Sequence, residues 1–225
     1  VVEHVEWEKN LFQCSLGNSP VVRITLPAGR EYSLTLGTGN GSIRLQANGA
    51  LSSLALHTEN GSIRAQAETP LHIGGNATFQ TENGSVTVSN IEAEGDLALH
   101  TSNGSVSAEN VSAKNITATT EHGDVTLTDA AADTALTAQT STGRISLCGE
   151  IAANSLTAKT ETGAILLRDG TIDANAIDLS TETGSITAEN SVFAGAQSDY
   201  TVQVSTEIGN SNVSDSLGGN RRLSL

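Results

Sequence analysis

Apolar residues in this chain alternate with polar ones in short runs, and the runs recur. Leu34 and Leu36, Leu54 and Leu56, Leu97 and Leu99, Ile177 and Leu179, and Val202 and Val204 each leave one residue between them. Alternation of period two marks a strand with one buried face. In later runs the second apolar position softens to Ala118, Ala138 and Ala158. A second run follows, as in Val86 and Val88, Ile145 and Leu147, or Ile165 and Leu167. A weaker third appears as Ile91 with Ala93, Val111 with Ala113, Ile151 with Ala153, and Ile172 with Ala174. The predicted unit is two firm short strands and one loose one.

A corner signature joins the first two strands. It is centred on Gly41, Gly61, Gly84, Gly104, Gly123, Gly143, Gly163, Gly184 and Gly209. Three residues before each stands Thr38, Thr58, Thr81, Thr101, Thr120, Thr140, Thr160, Thr181 or Thr206. Two residues after the glycine comes Ile43, Ile63, Val86, Val106, Val125, Ile145, Ile165 or Ile186, and only the last unit departs, with Ser211. This is turn chemistry: glycine takes a positive φ without steric cost, Asn tolerates it, and a threonine hydroxyl can satisfy backbone groups at a corner. Spacing between glycines runs 20, 23, 20, 19, 20, 20, 21 and 25. The variation falls after the second strand, which predicts bulges on one side, at Gly74 and Gly75 and at Ala194 to Ser198.

Repeats near twenty residues with one recurring turn signature argue for stacking. A β-sandwich also alternates, but its turns do not repeat one phrase. The predicted fold is therefore all-β, a parallel β-solenoid of about nine coils with a repeat of about 20 residues, forming a rod of roughly 40 Å. Residues 34–213 carry the repeats. Residues 1–33 break them and hold Trp7, Phe12 and Tyr32, which predicts an N-terminal cap over the open end. Residues 214–225, with Gly218, Gly219, Arg221 and Arg222, read as a C-terminal cap or tail.

Composition agrees with a thin core. Aromatics are 3%, methionine is absent, and the apolar content is Ala, Leu, Ile and Val. The net charge of −14, with only 11 Lys and Arg, argues against nucleic acid. No run approaches the roughly 18 apolar residues of a membrane span, so no transmembrane segment is expected. Cys14 and Cys148 lie far apart without metal-type spacing. They are either a disulfide stapling the N-terminal segment to the body or two unpaired, half-buried thiols.

The phrase Thr-Glu-Asn-Gly-Ser-Ile at 58–63, repeated with Val at 81–86, resembles the bacterial adhesin-like families. These include the head GIN domain of auto-transporter adhesins and related domains of unknown function. The resemblance covers about residues 34–210. It implies a β-helical fold and a cell-envelope location, and it brings no catalytic residues.

Three kinds of chemistry are worth weighing. The residue after each corner threonine is often acidic: Glu59, Glu82, Glu121, Glu161, Glu182 and Glu207, interrupted by Ser102 and Ser141. Stacking would align Glu161, Glu182 and Glu207 in one exposed row, a weak candidate for a divalent cation. The plainer alternative is a solvated charged edge, because oxygen-rich calcium sites converge from several loops. A β-helical polysaccharide-binding or polysaccharide-degrading protein would need carboxylates in distinct surroundings, usually with sugar-stacking aromatics. Here the carboxylates are uniform and the middle coils hold only Phe79. His57 and His100 occupy equivalent outward places two coils apart with Gln80 between, and His122 lies in a turn; all three read as surface. Ice binding is the third class, from Thr140/Thr142, Thr160/Thr162 and Thr181/Thr183, but the first threonine of each pair is expected to point inward. The sequons at Asn40, Asn60, Asn83 and Asn103 fall out of the corner phrase itself; Asn76, Asn110, Asn115 and Asn212 add others. The expected function is a non-enzymatic extracellular or cell-envelope structural or adhesive module. No catalytic residue, metal or cofactor is assigned. Its partner would be a surface ligand, glycan or protein, and end-to-end or side-by-side self-association is also expected.

Overall fold

The computed structural model describes residues 4–7, 22–25, 30–47, 49–194, 201–213 and 222–223. Among these residues every regular element is a strand, and no helix is long and apolar enough to cross a membrane. From Tyr32 onward each strand pairs in parallel with the equivalent strand one turn away. The nine corners from Gly41 to Gly209 enclose about eight turns of a parallel β-solenoid.

Three inward-facing ladders line the interior, one for each side of a coil. After the corner glycine, Ile43, Ile63, Val86, Val106, Val125, Ile145, Ile165 and Ile186 lie in one unbroken register. From Ile63 to Ile186 every member is fully buried. Before the corner, Leu56, Phe79, Leu99, Ala118, Ala138, Ala158, Leu179 and Val204 form a second ladder. Parallel in-register pairing puts like on like, so burying a Leu or Ile at one turn covers its neighbour at the next. Each such side chain contributes roughly 1.5–3 kcal/mol. A single coil has no such cover, which makes stacking obligatory.

The third ladder is firmer than its sequence suggests. Leu71, Ile91, Val111, Ala130, Ile151, Ile172 and Phe193 share one register, and all are buried. In the last of these coils Phe193 takes the inward place, which turns Val192 outward to 64% exposure. The register before this ladder slips between Gln66 and Leu71 and between Cys148 and Glu150. Variable length there hides a regular strand behind an irregular approach.

Two expectations need correcting. Gly74 and Gly75 are not an insertion: Ile73 pairs with Ala93, and the Gly95 amide donates to the Gly75 carbonyl at 3.1 Å, in step with the next coil. The long spacing from Gly61 to Gly84 comes instead from residues 67–70, of which Glu68, Thr69 and Pro70 are exposed. Of the second predicted bulge, residues 195–198 lie outside the described residues. Ser146 is the other correction. Alternation makes it an outward neighbour of Ile145, yet it is buried. It pairs with Thr126 and Leu166, and these larger side chains shield its small hydroxymethyl group.

In the N-terminal segment His4–Trp7 pairs antiparallel with Val22–Thr25. Tyr32 packs against the core, and Phe12 lies outside the described residues. At the other end Arg222–Leu223 pairs with Gln203 and Val204; Gly218, Gly219 and Arg221 lie outside the described residues.

Candidate functional site

The corner between the first two strands decides which side chains reach the surface. From Thr58 onward each threonine turns inward and donates its hydroxyl to the carbonyl of the corner glycine one coil before. Thr58 reaches Gly41, Thr81 reaches Gly61, and Thr101 reaches Gly84, at 2.8, 2.8 and 2.7 Å. The later corners repeat this between 2.8 and 3.2 Å. The same carbonyl crowds the next glycine: a Cβ on Gly61, Gly84, Gly104 or Gly163 would overlap the carbonyl oxygen of the preceding corner. The phrase Thr-x-x-Gly is therefore an inter-coil device. Threonine satisfies the carbonyl that glycine alone can approach.

With the threonine inward, the residues beside it face out. Immediately before it, His100, Thr119, Gln139, Lys159, Ser180 and Ser205 form one outward file with each member in register with the next. This file is the floor of an open groove of about 480 Å³, and Glu121, Glu161, Glu182 and Glu207 form its rim. The groove crosses six coils, about 25 Å at one strand spacing per coil. Lys159 pairs with Asp178 at 2.8 Å, both partly exposed, so the pair orients the ammonium group more than it stabilises the fold. The His100 Nδ1 lies 2.9 Å from the Thr119 hydroxyl.

Sequence reasoning found the rim and missed the floor. It noticed His57, Gln80 and His100, which are indeed in register, but the same place changes chemistry in later coils. The signal that finds it is positional: the residue before each buried threonine.

The predicted acidic row exists as a row. Glu161, Glu182 and Glu207 all stand exposed on the groove rim. They point along one ledge rather than toward one centre, and among the described residues no group of three His, Cys, Asp or Glu is placed to hold a metal ion. The double threonine row required for ordered water does not form, because Thr140, Thr160 and Thr181 are buried and bonded as above. Only Thr142, Thr162 and Thr183 remain outside. His57 and His122 are exposed. Cys148 is a half-buried free thiol, and Cys14 lies outside the described residues.

The sequon asparagines are used by the fold. Asn60 donates its amide to Asn40, Asn83 to Asn60, and Asn103 to Asn83, each at 3.0 Å. Asn110 donates to Asn90 at 2.6 Å and Asn115 to Asp96 at 2.7 Å. The side-chain oxygens of Asn76 and Asn212 accept backbone N–H groups at 3.0 Å.

Neither a curated protein nor a solved structure matches the chain. A family model does, over residues 2–214, and it describes an uncharacterised domain. That supports the coarser part of the resemblance, a repeat domain of unknown function, and adds nothing specific to adhesins. By this match across nearly its whole length, the chain belongs to the Toastrack DUF4097 family.

Proposed function

We propose that the chain is a non-enzymatic binding module of the cell envelope or extracellular space that engages a linear surface ligand, most simply a glycan, along the groove. The outward file from His100 to Ser205 carries this reading. It offers hydroxyl, amide and ammonium groups at intervals of about 4.8 Å, the spacing of parallel strands. A polymer that repeats its own hydroxyls can meet such a file at several coils, and weak contacts then add. The rim speaks against hydrolysis, which needs two carboxylates held in different surroundings. Glu121, Glu161, Glu182 and Glu207 all occupy the same exposed ledge.

A glycan array with soluble cell-wall polysaccharides tests this, run with the native chain and a Gln139→Ala/Lys159→Ala double variant. The expected result is binding to a polymeric glycan that weakens about tenfold or more in the variant, with no product released. A native chain that binds no polymer, or a variant that binds equally well, removes the groove from the account. Turnover that disappears with Glu161→Gln replaces it with a hydrolytic one.

A further inference from the structure

Four corners contain Asn followed by Gly: Asn40–Gly41, Asn60–Gly61, Asn83–Gly84 and Asn103–Gly104. This dipeptide is the one most open to spontaneous deamidation, because glycine has no side chain to keep its nitrogen from the Asn carbonyl carbon. The backbone nitrogen of Gly attacks Cγ, a C–N bond forms, and Nδ2 leaves as ammonia with the proton that the Gly nitrogen gives up. Water then opens the succinimide to aspartate or isoaspartate. No oxidant or cofactor enters the balance.

The fold treats the four asparagines unequally. All four Gly N–H groups are held in inter-coil hydrogen bonds of 2.9 Å, to Asn60, Asn83, Asn103 and His122 in turn, so reaction at each requires the corner to open. The side-chain ladder is directional. Asn60 and Asn83 both donate and accept, which pins the leaving amide. Asn103 donates through Nδ2 to Asn83, and no described group donates to its side-chain oxygen. Asn40 only accepts: its Oδ1 receives the Asn60 amide, and its Nδ2 has no partner among the described residues. An accepted hydrogen bond draws electron density from the carbonyl and steadies the oxyanion formed on attack. Asn40 thus combines a polarised carbonyl with an unpinned leaving group. It also sits in the outermost described corner, where the strands Tyr32–Asn40 and Ile43–Leu45 each pair on one side only among the described residues. Such terminal elements open most cheaply.

We propose that Asn40 is a modification site, deamidating while the solenoid stays folded, and that Asn60, Asn83 and Asn103 are protected until their coils open. The product fits the place. An aspartate at position 40 still accepts the Asn60 amide and adds one negative charge to the end of the rod. At position 103 the same change removes the donor to Asn83 and sets two oxygens against each other.

Peptide mapping by mass spectrometry after incubation in mildly alkaline buffer tests the order, with and without urea. Asn48–Gly49, a fifth such dipeptide, is resolved separately, since Asn48 lies outside the described residues. Expected in the folded chain is conversion at Asn40 about tenfold ahead of the other three ladder sites, with the four rates converging in urea. Equal rates in the folded chain, or any of the other three ahead of Asn40, overturn the proposal. Hydrogen exchange provides the second arm. The N40D chain should keep protection at the Gly41 amide, whereas the N103D chain should lose it at the Gly84 amide. Equal losses in both variants overturn the directional ladder.

Discussion

Two of the three corners of each coil, the one after the first strand and the one after the second, solve the same problem by different physics. At the first, the glycine column from Gly61 to Gly209 leaves no room for a side chain, because each Cβ would meet the carbonyl of the corner before it. One residue type satisfies that condition, so the sequence repeats it without exception. At the second corner the constraint is conformational. Asn90, Asn110, Asp129, Gly149, Asp169 and Asn190 all take the left-handed region, with φ between 50° and 69°. Three residue types reach that region at acceptable cost, and all three are used. A steric constraint between coils writes a sharp signature, and a local backbone constraint writes a diffuse one.

The largest effect should come from filling the first corner. Gly163→Ala places a methyl against the Gly143 carbonyl, where the three nearest atoms are all backbone of Gly143 and none belongs to a side chain that could move away. The expected loss exceeds about 4 kcal/mol, in the range reserved for severe packing errors. Urea denaturation gives the total, and hydrogen exchange should show the loss centred on neighbouring coils. Gly41→Ala is the control, since its Cβ would find nothing closer than the Thr38 hydroxyl at 3.6 Å. If the two substitutions cost the same, steric approach is not what selects glycine.

A middle effect should follow from Thr140→Val, which keeps the shape and removes the donor to the Gly123 carbonyl at 2.9 Å. A buried acceptor left unpaired costs about 1–3 kcal/mol, readable as a lower urea midpoint with an unchanged slope. An unchanged midpoint would mean that the threonine is retained for its shape alone.

The smallest effect belongs to the second corner. Gly149→Asn asks asparagine to adopt φ near 69°, as Asn110 does at 51° two column positions away. The nearest obstacle is the Asp129 carboxylate, a side chain that can shift at the cost of the hydrogen bond its Oδ1 accepts from the Glu150 amide at 2.9 Å. The expected change is within about 1 kcal/mol, measured in the same urea titration. A loss as large as that of Gly163→Ala would erase the distinction between the two corners.

This contrast also explains what could be read in the sequence. The ladder from Ile43 to Ile186 and the inward threonines were legible, because both follow from a phrase repeated at fixed offsets. The third strand looked loose because residues 67–70 and the extra residue near Gly170 shift its distance from the glycine. Its own residues, Ile91 and Ile151 among them, are as buried as any. Ser146 shows a related limit: alternation tells inside from outside, but not whether Thr126 and Leu166 on the flanking coils cover what points out.

The amino-acid sequence by itself determined the solenoid, its period, the inward threonines and the acidic rim. Each of these depends on residues within one coil and on the rule that like stacks on like. Only the tertiary structure decided that the corner glycine is demanded by the coil before it. It also assembled His100, Thr119, Gln139, Lys159, Ser180 and Ser205 into one groove floor and gave the asparagine ladder a direction. These are relations between residues about twenty positions apart, close in space because parallel pairing brings successive turns within one strand spacing, and no local pattern encodes them.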